Sequence, residues 1–100
     1  MQVNVNVTQD DLDKGEACSS CRCAVARACL RAVPEADHVS VEPQDKSYLP
    51  PVSITFCCPG WPHGSFTVLA PQIVAEFVDR YDRGKPVQPF SFQLDIPDPS

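Results

Sequence analysis

Basic residues are few and scattered: eight Lys and Arg stand against thirteen Asp and Glu, a net charge of −5. They form no basic stripe, which disfavours sequence-independent nucleic-acid binding, because neutralising phosphates needs clustered cations. The acidic excess is also too mild for a nucleic-acid mimic. No apolar run approaches the ~18 residues of a membrane-spanning helix. The opening Met1-Gln-Val-Asn-Val-Asn-Val7 alternates polar and apolar residues and lacks the continuous apolar region of a secretory leader, so a cytoplasmic protein is expected. Glycine is sparse, at four residues, and no Gly-rich phosphate loop, Gly-x-Ser-x-Gly elbow or His-Glu-x-x-His occurs. The two histidines, His38 and His63, stand far apart with no evident nucleophile partner; His38 is expected to flank a strand and His63 to sit in an exposed turn. There is no internal repeat and no low-complexity segment. With no catalytic constellation in view, the sequence reads as a non-enzyme.

What remains is a chain of 100 residues, hence one domain over residues 1–100, with a 43% hydrophobic fraction typical of a globular protein. A domain of this size buries about 65% of its unfolded surface, enough for one modest core. The eleven prolines lie mostly in connections and imply stiff loops.

Periodicity orders the chain. Val3, Val5 and Val7 alternate with Asn4 and Asn6, a half-buried strand. Thr8 offers an N-cap with Asp11 three residues on, predicting a helical turn over Gln9–Lys14 closed by a left-handed Gly15. The acidic group Asp10, Asp11 and Asp13 would meet the helix dipole there. Ser20 is a candidate N-cap for a helix over Cys21–Val33 that Pro34 ends, with Val25, Cys29, Ala32 and Val33 on one face and Arg27 and Arg31 turned away. Val39 and Val41 suggest a short strand. Val52, Ile54 and Phe56 begin a hairpin that returns through Phe66 and Val68 after a long tip rich in Pro and Gly. A second helix follows Pro71, with Ile73, Val74, Phe77, Val78 and Tyr81 as its buried stripe and Gly84 and Pro86 as its stop. Phe90, Phe92, Leu94 and Ile96 form a last alternating strand.

Each strand is apolar on one face only, which argues against a doubly wound sheet. The expected architecture is α+β: about five strands in one mixed or mostly antiparallel sheet, with two main helices on one face. The other face would carry Asn4, Asn6, Ser53, Thr55, Thr67, Ser91 and Gln93, polar but uncharged.

Four of the six cysteines, Cys18, Cys21, Cys23 and Cys29, fall within twelve residues, and Cys57 and Cys58 are adjacent. Three readings are open. Cys18-x-x-Cys21 has zinc-knuckle spacing; Cys23 and Cys29 could complete four thiolates, or Cys57 and Cys58 with His63 could supply a second couple. Zinc, or an iron–sulfur cluster, is then the cofactor. A Cys-x-x-Cys pair at a helix N-terminus also suits redox chemistry, but the strand that precedes such a motif in thioredoxin-like proteins is missing. In the third reading Cys23, Cys29 and Cys58 pack as small apolar residues and no cofactor is present.

The segments Val5-x-Val7-Thr8-Gln9-Asp10-x-Leu12-Asp13-x-Gly15, Cys23-x-Val25-Ala26-x-Ala28 and Phe77-x-x-x-Tyr81-Asp82-x-Gly84-x-Pro86-Val87-x-Pro89-Phe90-x-Phe92 together resemble a group of small proteins of actinobacteria and their phages with no known activity. That group usually carries a Cys-x-x-Cys-Pro-Val-Ala run; here Ala24 follows Cys23, and the Cys-x-x-Cys pair lies at Cys18 and Cys21. The resemblance implies a compact accessory protein, phage-encoded in type, acting on a host component. With it, the sequence predicts a non-enzymatic protein that binds a host or partner protein, with Trp61 and His63 at the hairpin tip as the contact residues. A loop of Pro59, Gly60, Trp61, Pro62 and Gly64 is stiff, so presenting an indole from it costs little ordering entropy. The opposing expectation is that Trp61 folds back onto its own domain.

Overall fold

A computed structural model of the chain describes residues 1–16, 19, 21–43, 52–62 and 64–97. Its first strand, β1 (Gln2–Val7), has Val3, Val5 and Val7 on one side, and the last strand sets Leu94, Phe92 and Phe90 directly opposite them. The alternation of both segments is thereby matched in register, and the pair is antiparallel. The main chain extends it by one step, with the Ile96 amide donating to the Met1 carbonyl at 2.8 Å.

In chain order α1 (Gln9–Lys14), α2 (Ala24–Ala32), β2 (His38–Pro43), β3 (Val52–Cys57), β4 (Ser65–Leu69), α3 (Gln72–Asp82) and β5 (Phe90–Asp95) follow β1. The α+β class holds, but the single five-stranded sheet does not. Among the described residues the strands form two antiparallel sheets, a β1–β5 ribbon and a three-stranded β2–β3–β4 sheet, and they do not close into a barrel. The physical reason is that one-sided alternation fixes which face of a strand is buried and says nothing about which edge it pairs with. Helix α2 lies against β1 and β2 together, spanning the two sheets instead of lying on one face of a common sheet. Its buried Ala24, Val25, Ala26, Ala28 and Cys29 are mostly small and allow close approach. The polar residues expected on one sheet face therefore belong to two surfaces: Ser91 bonds Asn6 across the ribbon at 2.7 Å, and Thr55 meets Thr67 across the second sheet at 2.9 Å.

The capping box at α1 forms as the sequence indicates. The Thr8 hydroxyl accepts from the Asp11 amide at 3.3 Å, and Asp11 Oδ2 accepts from the Thr8 amide at 2.9 Å. Asp10 and Asp11 stand in the first turn of α1 as expected, but Asp11 is wholly buried. Arg31 grips both its oxygens, at 3.0 and 2.7 Å, and also reaches the Asn6 carbonyl at 2.7 Å. Arg27 approaches the same carboxylate at 3.6 Å. The two arginines expected to turn away from the protein thus tie α2 to α1 and to the end of β1.

Gly15 ends α1 with φ −70°, not with a left-handed turn. Its glycine is a matter of space: a Cβ there would stand 2.6 Å from Tyr81 Oη and 2.7 Å from both the Ala24 nitrogen and the Asp11 carbonyl. Helix α2 starts at Ala24 with Cys23 as its N-cap, later than the expected start at Cys21. The Ser20 cap lies outside the described residues.

Of the apolar stripe on α3, Val74, Phe77 and Val78 are buried and Tyr81 partly so, whereas Ile73 is 47% exposed, against expectation. Val68 and Phe90, on the apolar faces of their strands, are half-buried and pack against the core. Phe77 stacks on Tyr81 and meets Phe90 at 4.7 Å between ring centroids, which seats α3 on the ribbon. Gly84, at φ 70°, supplies the left-handed turn after α3.

Candidate functional site

The hairpin joining β3 to β4 is built as the alternation requires, with Ile54 opposite Val68 and Phe56 opposite Phe66. Its tip folds back. Trp61 is half-buried and stacks on Phe66 at 5.0 Å, and Phe66 stacks on the fully buried Phe56 at 5.0 Å. The tip is pinned by the main chain as well: the Cys58 amide donates to Gly64, Trp61 to Cys58 and Gly64 to Trp61. A positive φ of 72° at Gly64 lets the chain turn there. This is the packed arrangement that the sequence set against an exposed indole. His63 lies outside the described residues. Removing the indole from such a stack should cost about 1–2 kcal/mol, the stacking contribution plus part of the area. Trp61→Ala is therefore expected to melt several degrees below the parent in a calorimetric scan, and an unchanged transition would count against the packing role.

The cysteines separate. Cys23, Cys29 and Cys58 are buried, Cys57 is half-buried and Cys21 is exposed. Burial pushes the thiols of Cys23, Cys29 and Cys58 up from the ordinary range, in Cys23 against the pull of the Val25 and Ala26 amides. All three act as core residues, as the third reading of the sequence had it. The N-cap of α2 is buried Cys23 and not Cys21. Cys18 lies outside the described residues. Among the described residues no three His, Cys, Asp or Glu side chains gather as a metal would need. What the fold does bring together is Cys21 and His38, with Sγ 3.3 Å from Nε2. They stand seventeen positions apart in the chain, and no sequence periodicity links them. His38 opens β2, opposite Cys57 in the register.

One surface depression among the described residues is a groove of about 510 Å³ between α3 and the segment Pro86–Phe90. Ile73, Phe77, Val87 and Phe90 give it apolar walls, Pro86 and Pro89 stiffen one side, and Glu76 and Arg80 stand on the other. It is open along its length and not an enclosed cavity. Ile73, Glu76, Phe77 and Arg80 share one helix face by their spacing of three and four residues. This explains the exposed Ile73: the periodic stripe is real, but part of it faces the groove. In the sequence Gly84 and Pro86 signal a helix stop, and nothing in the local pattern there indicates a groove. Compared with family models, curated proteins and solved structures, the chain gives no match.

Proposed function

We propose that the protein is a non-enzymatic binding module that takes an extended apolar segment of a partner protein into the groove beside α3. The single observation behind this reading is Ile73, a large aliphatic side chain left 47% exposed in a wall shared with Phe77, Val87 and Phe90. Apolar anchors seated in preformed pockets dominate protein interfaces. The prolines that line the groove hold it in shape, so occupation carries little ordering cost. An open groove suits a peptide segment better than a small molecule, which a pocket normally encloses over most of its surface. The mixed rim of Glu76 and Arg80, and the net charge of −5, suit a protein better than a nucleic acid. The principal anchor moves in this reading from the hairpin tip to the groove, because Trp61 is engaged in stacking while Ile73 is not buried. The resemblance to small phage and actinobacterial proteins adds a host protein, met in the cytoplasm, as the partner.

The test is panning of a random peptide library against the whole chain, followed by anisotropy titration of the selected peptides. Selected peptides are expected to share a large apolar residue. Ile73→Asp should weaken them roughly thirtyfold, as loss of an anchor contact worth about 2 kcal/mol implies. Leu69→Asp, at another exposed aliphatic residue, should leave them unchanged. Equal binding by Ile73→Asp and the parent would remove the groove from consideration.

A further inference from the structure

We propose that Cys21 is a thiol modification site, paired with the His38 imidazole and built to exchange with the disulfide of a small amino-acid-derived thiol. This stands apart from the groove and does not depend on it. Three observations carry it. First, Sγ lies 3.3 Å from Nε2, the geometry of a thiol and the base that can take its proton. Second, Cys21 is exposed, whereas Cys23, Cys29 and Cys58 are buried, and a buried thiol in apolar surroundings is inert. Third, the pair lies in the wall of the second depression, about 280 Å³, close to the roughly 300 Å³ at which ligand pockets begin.

The chemistry of that depression indicates the class of thiol. Leu30 contributes an apolar surface, 40% exposed. Lys14, Arg22 and Arg27 line it together with Glu16 and Asp37, so both signs of charge are available. A thiol derived from an amino acid carries an ammonium and a carboxylate, and it can meet both. The ion pairs of Lys14 with Asp10 at 3.2 Å, Arg22 with Glu16 at 3.8 Å and Arg27 with Asp10 at 3.6 Å lie at the surface and are weak enough to rearrange around it, while Arg27 also stands 3.6 Å from the buried Asp11.

In the exchange, Nε2 of neutral His38 takes the Sγ proton. The thiolate attacks one sulfur of the incoming disulfide. A bond forms between that sulfur and Cys21 Sγ as the original S–S bond breaks. The departing half leaves as a thiolate and recovers the proton from His38. Cys21 is oxidised to a mixed disulfide, and half of the small disulfide is reduced to its thiol, so electrons and protons balance.

The experiment incubates the full chain with glutathione disulfide near neutral pH and follows each cysteine by peptide mass spectrometry. Cys21 is expected to acquire glutathione ahead of Cys57, and a thiol reductant should reverse it. His38→Gln keeps a polar side chain without a base. It should slow the reaction at Cys21 about tenfold, short of the roughly hundredfold of a fully positioned general base. Added imidazole should restore part of the rate, and the melting temperature should not move. Cys18→Ser should leave Cys21 labelling intact. The proposal fails if Cys57 or Cys18 is modified first, if His38→Gln reacts at the parental rate, or if Cys18→Ser abolishes labelling of Cys21.

Discussion

Phe56→Ala is expected to lose about 4 kcal/mol of stability, within the 3–5 kcal/mol usual for a buried phenylalanine. Phe56 is fully buried on the central strand of the three-stranded sheet, paired with Val39 on one side and Phe66 on the other. Its ring is also the inner member of the stack that continues through Phe66 to Trp61. Truncation therefore opens a cavity and removes the surface on which the hairpin tip rests. A domain of this size has on the order of 5–15 kcal/mol in total, so the variant should be near the edge of folding at physiological temperature. Its melting point should fall by roughly 15–30 °C, given the 4–8 °C per kcal/mol of small domains. Leu69→Ala, at a residue 61% exposed, should change stability by less than about 0.5 kcal/mol and serves as the comparison. A loss below about 1 kcal/mol for Phe56→Ala in urea denaturation would mean that the ring is not in a packed core.

Asp11→Ala should cost about 3 kcal/mol. The cap at Thr8 accounts for about 1 kcal/mol and the charged hydrogen bonds to Arg31 for a further 1.5–3 kcal/mol. Arg31 is half-exposed and recovers water when its partner goes, which keeps the total below the upper end of that sum. The carboxylate also sets a pH dependence. Burial pushes the Asp11 pKa up, but the hydrogen bonds from Arg31 and the Thr8 amide and the Arg31 charge outweigh it, and the net shift is below the ordinary 3.8. The folded protein thus holds the ionised form more tightly than the unfolded chain does. This stabilisation is complete above the ordinary carboxylate pKa and is lost as pH falls through the folded value. The stability gap between the parent and Asp11→Asn should accordingly be constant near neutrality and shrink below about pH 4. Urea titrations of both proteins at neutral pH and at several points below pH 4 measure it. A gap that stays constant into acid would show that the Asp11 charge contributes nothing.

Local order along the chain was legible in the residues. The valine alternation of β1, the Thr8–Asp11 cap, the hairpin of Ile54 and Phe56 with Phe66 and Val68, and the α3 stripe each express a short-range rule. Period two marks a strand, period 3.6 a helix, and an oxygen three residues ahead of an amide marks a cap. Phe90, Phe92 and Leu94 could be placed on one face by the same reasoning, and so could the burial of Cys29 and Cys58.

Short-range rules do not say which edges meet. Whether five one-sided strands make one sheet or two depends on how α2 bridges β1 and β2, a contact between distant segments. The burial of Asp11 under Arg27 and Arg31 has the same origin, since the charges lie on two helices whose packing no periodicity specifies. Gly15 looked like a backbone device and proved to be a space requirement, because the crowding atoms come from Tyr81 and Ala24. Ile73 carried the right spacing for the core, but only the path of residues 86–90 left a groove in front of it. Cys21 and His38 became a pair only when the chain entering α2 and the start of β2 were brought together. What the sequence by itself determined was the elements, their buried faces and the absence of a linear catalytic motif. The division into two sheets, the buried carboxylate, the groove and the thiol–imidazole contact were decided by the tertiary structure, because each depends on a distance between residues that the chain's local pattern leaves free.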